Sequence, residues 1–337
     1  MHQTMIKAAL DRAQPGSRVK GVVPVGTMAS GATIGISFVA IKGTQDGPCL
    51  WINGQVHGVE INGIFSALEF VNSLNAEELA GSVVVTATAN PPAFDAREKC
   101  APQDGYDLDQ TFPGNIAGFL TERLAYRYFE EVKGCADVLI NMHTNGPLFD
   151  GKPYAVYKDH PRVEESTLLD LLSAFDPSVA CLMQIESGKG ELLGNIAGGL
   201  DFQMLNLGIP SFMIELGGGS RAEADFITQG VEGFRGVAGK MKLIKNHTHE
   251  RTEVTRVTAR RHITVTHGGL FRASQRPGDF VAAGSSLGYT LNMFGEVVEE
   301  LACAKDSIVI CIRRDPVVHT GDRFAFLAEK WERIQLK

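Results

Sequence analysis

Apolar residues cluster in short blocks over the first two thirds of the chain, and two spacing patterns alternate there. Continuous apolar blocks are typical of buried strands, whereas apolar residues three and four positions apart are typical of helices. The first helical pattern contains Ile61, Ile64, Phe65, Leu68, Val71 and Leu74, and the second covers 116–133. The predicted strands are 34–42, 48–53, 83–85, 137–142 and 210–215. The alternation predicts an α/β fold with a mixed, largely parallel sheet that helices cover on both faces.

The pattern changes near residue 250. A polar run at 245–261 interrupts the alternation, and short β-like segments separated by glycine and proline follow it. These segments are 270–273, 279–281, 286–291 and 307–312. We therefore predict a large α/β domain at 1–250 and a small all-β domain at 251–337.

Composition narrows the classes of function. The 337 residues include 32 Lys and Arg against 39 Asp and Glu, a formal net charge of −7. Nucleic acids and anionic membranes select basic surfaces, so neither is an expected partner. No apolar run approaches 18 residues, and the first 20 residues do not resemble a signal peptide. The six cysteines form no C-x-x-C pair, which favours reduced thiols. We expect a cytoplasmic protein that does not span a membrane.

The strongest local motif is Gly54-Gln55-Val56-His57-Gly58-Val59-Glu60. Residues three apart at the start of a helix share one face, and an imidazole with a carboxylate suits zinc. The spacing alone is weak evidence, because His247/Glu250 and His319/Asp322 show it too. His57 and Glu60, however, follow a predicted strand, at the edge where α/β sheets bind ligands. The alternative is a capping glutamate beside a surface histidine.

Two further residues end predicted strands. His143 follows 138–142 and is the natural third ligand for a metal, although a lone histidine there is often structural. Glu215 ends 209–214 and precedes three glycines that let a substrate approach closely. A carboxylate in such an apolar segment suggests a general base, with a strand-end salt bridge as the alternative.

The order of these motifs resembles the succinylglutamate desuccinylase/aspartoacylase family, over about residues 30 to 245. The motifs that carry the resemblance are His57-x-x-Glu60, Asn90-Pro91-x-Ala93-Phe94, Asp104-Gly105-x-Asp107-Leu108, Phe112-Pro113-Gly114, His143 and Ile214-Glu215-Leu216-Gly217. Members of that family are zinc amidohydrolases with a fold related to zinc carboxypeptidases. The resemblance implies one Zn²⁺ per chain, bound by His57, Glu60 and His143. It also implies that Glu215 takes a proton from the attacking water and passes it to the leaving nitrogen.

The chain departs from the family pattern in the predicted substrate site, to which we assign Asn90, Asp109 and Gln110. Family members usually carry an arginine between the Asn-Pro and Asp-Gly segments, for the oxyanion or a substrate carboxylate. Here Lys99 aligns with it and Arg97 lies two residues earlier, and either could serve.

Asp109 and Gln110 stand where the family has Asn-Arg, whose arginine clamps a substrate carboxylate, and Asn141 stands where many relatives have Asp. The exchange at 109–110 moves the local charge two units toward negative. We expect a substrate that is neutral or cationic at that end, unless Arg97, Lys99 or another arginine such as Arg221 restores the anion site.

The sequence therefore predicts a zinc-dependent hydrolase that cleaves the amide bond of a small N-acylated amino compound. The partner is a small-molecule N-acyl substrate, and a homo-oligomer is compatible with the sequence. Two alternatives stay open. One is a metallocarboxypeptidase, which the loss of the Asn-Arg clamp disfavours. The other is a catalytically degenerate relative that binds metal or ligand without turnover.

Overall fold

A computed structural model describes residues 3–185, 194–245 and 251–336. The helices are α1 (Met5–Arg12), α2 (Asn62–Ser73), α3 (Pro91–Ala96), α4 (Leu120–Cys135), α5 (Glu165–Ser173), α6 (Leu200–Leu205) and α7 (Ala224–Lys240). The first nine strands are β1 (Ser17–Thr27), β2 (Thr33–Lys42), β3 (Gln45–Asn53), β4 (Ala80–Thr86), β5 (Val138–His143), β6 (Phe149–Gly151), β7 (Tyr154–Lys158), β8 (Ala180–Met183) and β9 (Ser211–Glu215). The later strands are β10 (Glu253–Thr264), β11 (Gly269–Ala273), β12 (Phe280–Val281), β13 (Ser286–Leu291), β14 (Val297–Ala302), β15 (Ser307–Arg313), β16 (Val317–Val318) and β17 (Arg323–Gln335).

One large mixed sheet organises the molecule, and its centre is parallel. The strand order is β1-β2-β4-β3-β5-β9-β7-β8-β10-β17-β15-β12, with β6 paired to β15. Strands β4, β3, β5 and β9 run parallel to one another. The carboxyl ends of β3, β5 and β9 therefore meet at one edge, where α/β sheets bind ligands. This confirms the predicted fold class.

Helices cover both faces of this centre because its strands are apolar on both sides. Alternate residues of a strand point to opposite faces. Leu50 and Ile52 accordingly join a core with α2, α5 and α7, while Trp51 joins a second core with α1, α4 and α6.

The predicted helical faces were partly wrong. Phe65 belongs to the predicted apolar pattern of the first helix but is 45% exposed, and Phe119, within the predicted second helix at 116–133, is 62% exposed. In α2 the buried side is instead the one with Ala67 and Phe70, because small residues on that side let the helix pack closely against α7 and the sheet. Helix α4 begins only at Leu120, after Phe119 at its N-cap.

The C-terminal part is β-structured, as predicted, and contains a separate antiparallel sheet of order β14-β13-β11-β16. The polar run at 245–261 hides a strand, however, because β10 starts at Glu253 and pairs in parallel with β8. Four C-terminal strands thereby extend the large sheet. One apolar cluster joins Val156 and Met213 to Ile310 and Phe326. The division at residue 250 stays a prediction. Among the described helices, none has the length and apolarity needed to cross a bilayer.

Candidate metal and catalytic site

The structure brings the predicted strand-end residues together. Strand β5 lies between β3 and β9, and Asn53 pairs in register with Asn141. In the same way His143 is the register partner of Glu215 on the adjacent parallel strand. His57 and Glu60 lie in the loop between β3 and α2, above the same edge. Neighbouring parallel strands thus set the separation of these side chains.

His57, Glu60 and His143 form one cluster, and all three are buried. His57 Nδ1 lies 2.8 Å from Glu60 Oε1, and His143 Nδ1 lies 3.2 Å from Glu60 Oε2. A set of ligand atoms, one from each residue, lies within 4.8 Å of one another. Two imidazole nitrogens and one carboxylate are a known zinc donor set for catalytic sites, which leave a fourth position open. The residues present therefore fit a zinc ion.

Close backbone packing holds the His57 loop in place. A Cβ atom on Gly58 would lie 2.0 Å from the carbonyl oxygen of Ala93, so only glycine fits there. At the start of α2, the buried Asn62 side chain donates to the Leu216 carbonyl at 2.7 Å and accepts from Glu223 N at 3.0 Å. Asn62 thereby connects the loop that carries His57 and Glu60 to the loop that follows Glu215.

A second layer of polar groups orients both histidines. His57 Nε2 lies 3.0 Å from Asp107 Oδ1, and Lys99 Nζ lies 2.7 Å from Asp107 Oδ2. A carboxylate on the far nitrogen fixes the tautomer of a metal-binding histidine. His143 Nε2 instead lies 3.0 Å from Asn141 Nδ2 and 3.9 Å from Asp109 Oδ2.

The surroundings of the two buried glutamates shift their pKa values in opposite directions. Burial acts to raise the pKa of Glu60, but the charge of His57 and hydrogen bonds from both histidines outweigh it and hold that pKa at about 2. Burial raises the pKa of the Glu215 carboxyl to about 7, against the opposing charge of His143. The Glu215 Oε2 atom is buried and has no hydrogen-bond partner among the described residues. A carboxyl that titrates near neutrality beside a metal cluster suits a general base.

These groups line a cavity of about 490 Å³, a size typical of sites for small molecules. Lys99, Asp109 and Gln110 line it too. Part of the cavity wall comes from the C-terminal strands, which supply residues that the sequence analysis did not single out as site residues. These are Arg260, His262, Cys311, Arg323 and Phe326. The sequence offers one weak signal for two of them. Arg260 and His262 are two residues apart, so in a strand their side chains would leave the same face.

Two predicted site residues lie elsewhere. Asn90 is buried and caps α3 by accepting from Ala93 N, while Arg97 is exposed at the end of that helix in a left-handed conformation. Neither is among the described residues that line the cavity. Arg221 is paired with Asp150 and Glu223.

Gln110 donates to Asp107 and accepts from Asn195 N, so it braces the neighbouring loops. The chance motif at His319 and Asp322 forms an exposed turn, and His247/Glu250 lies outside the described residues.

Comparison with known proteins finds related sequences. The catalytic-domain family model of succinylglutamate desuccinylase/aspartoacylase matches residues 46–239. The N-alpha-acetyl-L-2,4-diaminobutyric acid deacetylase of Halomonas elongata is 25% identical over 303 residues, which cover 88% of this chain and 86% of that protein.

Solved structures show the same fold. The product-bound ectoine utilization protein EutE (DoeB) of Ruegeria pomeroyi has a TM-score of 0.81 at 23% identity and covers 94% of this chain and 96% of its own. A succinylglutamate desuccinylase/aspartoacylase of Rhodobacter sphaeroides has a TM-score of 0.79 at 24% identity, with the same coverage of the two chains.

Proposed function

Because the chain belongs to the succinylglutamate desuccinylase/aspartoacylase family, we propose that it is a zinc-dependent deacylase of small N-acylated amino compounds. The observation that carries the proposal is the convergence of a His57, Glu60 and His143 donor set with the buried carboxyl of Glu215 in one cavity. The Halomonas elongata relative is named for an N-acetylated diamino acid. We take N-acetylated diamino acids as the first substrate class for this chain.

The residues divide the reaction between them. His57, Glu60 and His143 would hold the zinc ion, which would supply Lewis-acid chemistry that polarises a carbonyl oxygen and makes water a stronger nucleophile at neutral pH. Glu215 takes the proton of the attacking water and delivers it to the leaving nitrogen, because an amine leaves poorly as an anion. Asp107 holds the His57 ring, and Lys99 beside Asp107 adds positive charge at the cavity wall.

The test compares turnover of N-acetyl-2,4-diaminobutyrate by the zinc-loaded enzyme, the chelator-treated enzyme and zinc-loaded Glu215→Gln, and it measures the zinc content of the wild type, His57→Ala and His143→Ala. We expect about one zinc per wild-type chain, little zinc in His57→Ala and His143→Ala, and turnover only when zinc is present. Glu215→Gln keeps its zinc and loses roughly 10²–10⁴-fold in kcat, the usual contribution of a positioned acid–base group.

Four results contradict the proposal. Full zinc content in both histidine variants excludes the ligand set, and near wild-type kcat in Glu215→Gln excludes the general base. Stoichiometric zinc without hydrolysis of any compound in an N-acyl panel indicates the metal-binding relative without turnover. Release of C-terminal residues from peptides would indicate the carboxypeptidase.

A further inference from the structure

The cavity has a cationic wall that the metal cluster does not explain. Arg260 and His262 lie two residues apart on β10, so their side chains leave the same face of the strand. Both line the cavity that contains Glu215, and Arg323 from β17 lines it beside them. The wall therefore belongs to the C-terminal strands, whereas the proposed catalytic residues belong to the first 215 residues.

Phe326 forms the platform of this wall. It is the register partner of His262 on the antiparallel strand β17, and their rings stack at 3.9 Å with planes 9° apart. The Arg260 guanidinium lies over the same phenyl ring at 4.9 Å. Two planar nitrogen-rich groups thus both contact one aromatic ring, which limits their freedom before any ligand arrives.

The hydrogen-bonding capacity of the wall points to an acceptor. Both ring nitrogens of His262 are buried and have no hydrogen-bond partner within the described ranges. Such an orphaned group in a native fold calls for a ligand or an ordered water. Arg260 is only 7% exposed, and its planar guanidinium presents N–H donors in a fork that matches a carboxylate.

Charge at this wall favours an anionic ligand over a cationic one. Arg260 and Arg323 both lower the pKa of His262, after the larger effect of burial, so the two guanidinium groups act on the same ring. An ammonium group placed there would meet two like charges, whereas a carboxylate would meet two opposite ones. This differs from the expectation, drawn from Asp109 and Gln110, of a substrate without negative charge at its recognised end. In the structure Asp109 lies instead next to His143, with its Oδ1 accepting from Asn141 and from Leu200 N.

We propose that Arg260 and His262, supported by Phe326 and Arg323, form a carboxylate-binding subsite that selects N-acyl substrates carrying a free carboxylate. The inference rests on the proposed deacylase function and adds the part of the substrate that is recognised. The carboxylate belongs either to the amine half, as in an N-acetyl amino acid, or to the acyl half, as in an N-succinyl compound. The subsite replaces the arginine that the chain lacks at Gln110.

The experiment uses matched pairs of compounds that differ in one carboxylate. N-acetyl-2,4-diaminobutyrate is compared with its carboxamide, and an N-succinyl amine is compared with the N-butyryl form of the same amine. The variants are Arg260→Gln and His262→Gln. The matched control is Arg261→Gln, whose side chain leaves the other face of β10 and pairs with Glu329 in a half-exposed position. Affinity is measured by calorimetry on Glu215→Gln backgrounds, and kcat/KM on the zinc-loaded enzymes.

We expect the wild type and Arg261→Gln to prefer the carboxylate form of one pair, and the pair concerned identifies the half of the substrate. Arg260→Gln should lose roughly 10- to 100-fold on the carboxylate form, as for a lost charge-assisted hydrogen bond, with little change on its uncharged partner. His262→Gln should shift in the same direction by a smaller factor. Unchanged melting temperatures show that the variants are folded.

The outcomes separate this inference from the proposed function. Hydrolysis with an unchanged preference in Arg260→Gln, or with equal losses on both forms, overturns the subsite and leaves the deacylase standing. Selective binding of the carboxylate forms without hydrolysis supports the subsite and contradicts the deacylase. A wild type that neither binds nor hydrolyses any of the four compounds contradicts both.

Discussion

At the scale of single residues, each of the two ring nitrogens of His143 needs a suitable partner in the site. When Nδ1 binds a metal, Nε2 carries a hydrogen and needs an acceptor. The nearby Asn141 amide presents its Nδ2 donor instead, because its oxygen already accepts from Asn53 at 2.7 Å. The acceptor at hand is Asp109, whose Oδ2 lies 3.9 Å away.

We therefore predict that Asp109→Asn weakens zinc binding by roughly 10- to 100-fold, the usual effect of removing such an outer partner. Competition with a chromophoric chelator measures the change. The double variant Asp109→Asn/Asn141→Asp returns a carboxylate to a position beside His143 and should recover much of the affinity. Wild-type zinc affinity in Asp109→Asn would show that His143 needs no carboxylate.

His262 gives a pH dependence whose sign follows from its surroundings. Burial, then the charges of Arg323 and Arg260, lower its pKa to about 3 in the folded protein, while an unfolded histidine titrates near ~6.5. At a pH between these two pKa values, His262 is protonated in the unfolded chain and neutral in the folded chain. The contribution of His262 to the free energy of unfolding is therefore fully present above about pH 6.5. Below that pH it falls as the pH falls, by up to ~1.4 kcal/mol per pH unit.

The measurement is the free energy of unfolding at pH 7 and pH 5. We expect His262→Gln to lose less stability between these pH values than the wild type. His267→Gln serves as control, because the His267 side chain is exposed. Equal losses in the wild type and His262→Gln would mean that His262 takes up its proton equally well in both states.

At the scale of elements, the site depends on how α2 is anchored to the loop after β9. Asn62 makes this connection from a fully buried position, through Leu216 and Glu223. The helix has no side-chain cap at its N-terminus, so Asn62 acts between elements and not within the helix. Its loss would leave buried acceptors without donors and loosen Glu215 relative to Glu60.

We predict that Asn62→Ala lowers the free energy of unfolding by about 1–3 kcal/mol, the cost of buried polar groups left unpaired, and that it also lowers kcat. Chemical denaturation and steady-state kinetics measure the two effects. Asn72→Ala, near the other end of α2, removes an exposed amide that contacts Arg18 and should change neither quantity much. Equal effects of the two substitutions would contradict the anchoring role.

The sequence could predict the strands that carry His57, His143 and Glu215 because each is a continuous apolar block before a polar or glycine-rich turn. It could not predict β10, since its polar residues face a cavity and the solvent, and long-range pairing with β8 and β17 decides its structure. Asp107 belonged to a recognised motif, but only the folded loop shows that it holds His57. Phe65 misled the helix pattern because apolar spacing identifies a helix better than the exact face it buries.

At the scale of the whole molecule, the part of the chain before residue 250 and the C-terminal part share one sheet and one apolar cluster. Ending the chain at residue 250 would expose the edge of β8 and remove the partners of Val156 and Cys181 in that cluster. An unpaired, apolar strand edge promotes aggregation.

We accordingly predict that 1–250 alone is insoluble or lacks a cooperative unfolding transition, while the full chain unfolds cooperatively. Expression of the fragment, followed by thermal unfolding monitored by circular dichroism, tests this. A soluble fragment that melts cooperatively would establish the division at residue 250 as one between independent folding units.

The position of Arg260 and His262 on β10 has a consequence for how such enzymes diverge. The segment that the family model recognises, 46–239, ends before β10 begins. If residues in the strands beyond this segment determine substrate specificity, two homologues can keep the same reaction chemistry and act on different substrates. A few substitutions on one strand would be enough. A chimera could then join the C-terminal strands of one homologue to the preceding part of another, with the pairing of β8 and β10 preserved. Such a chimera would have a new substrate specificity and an unchanged catalytic site.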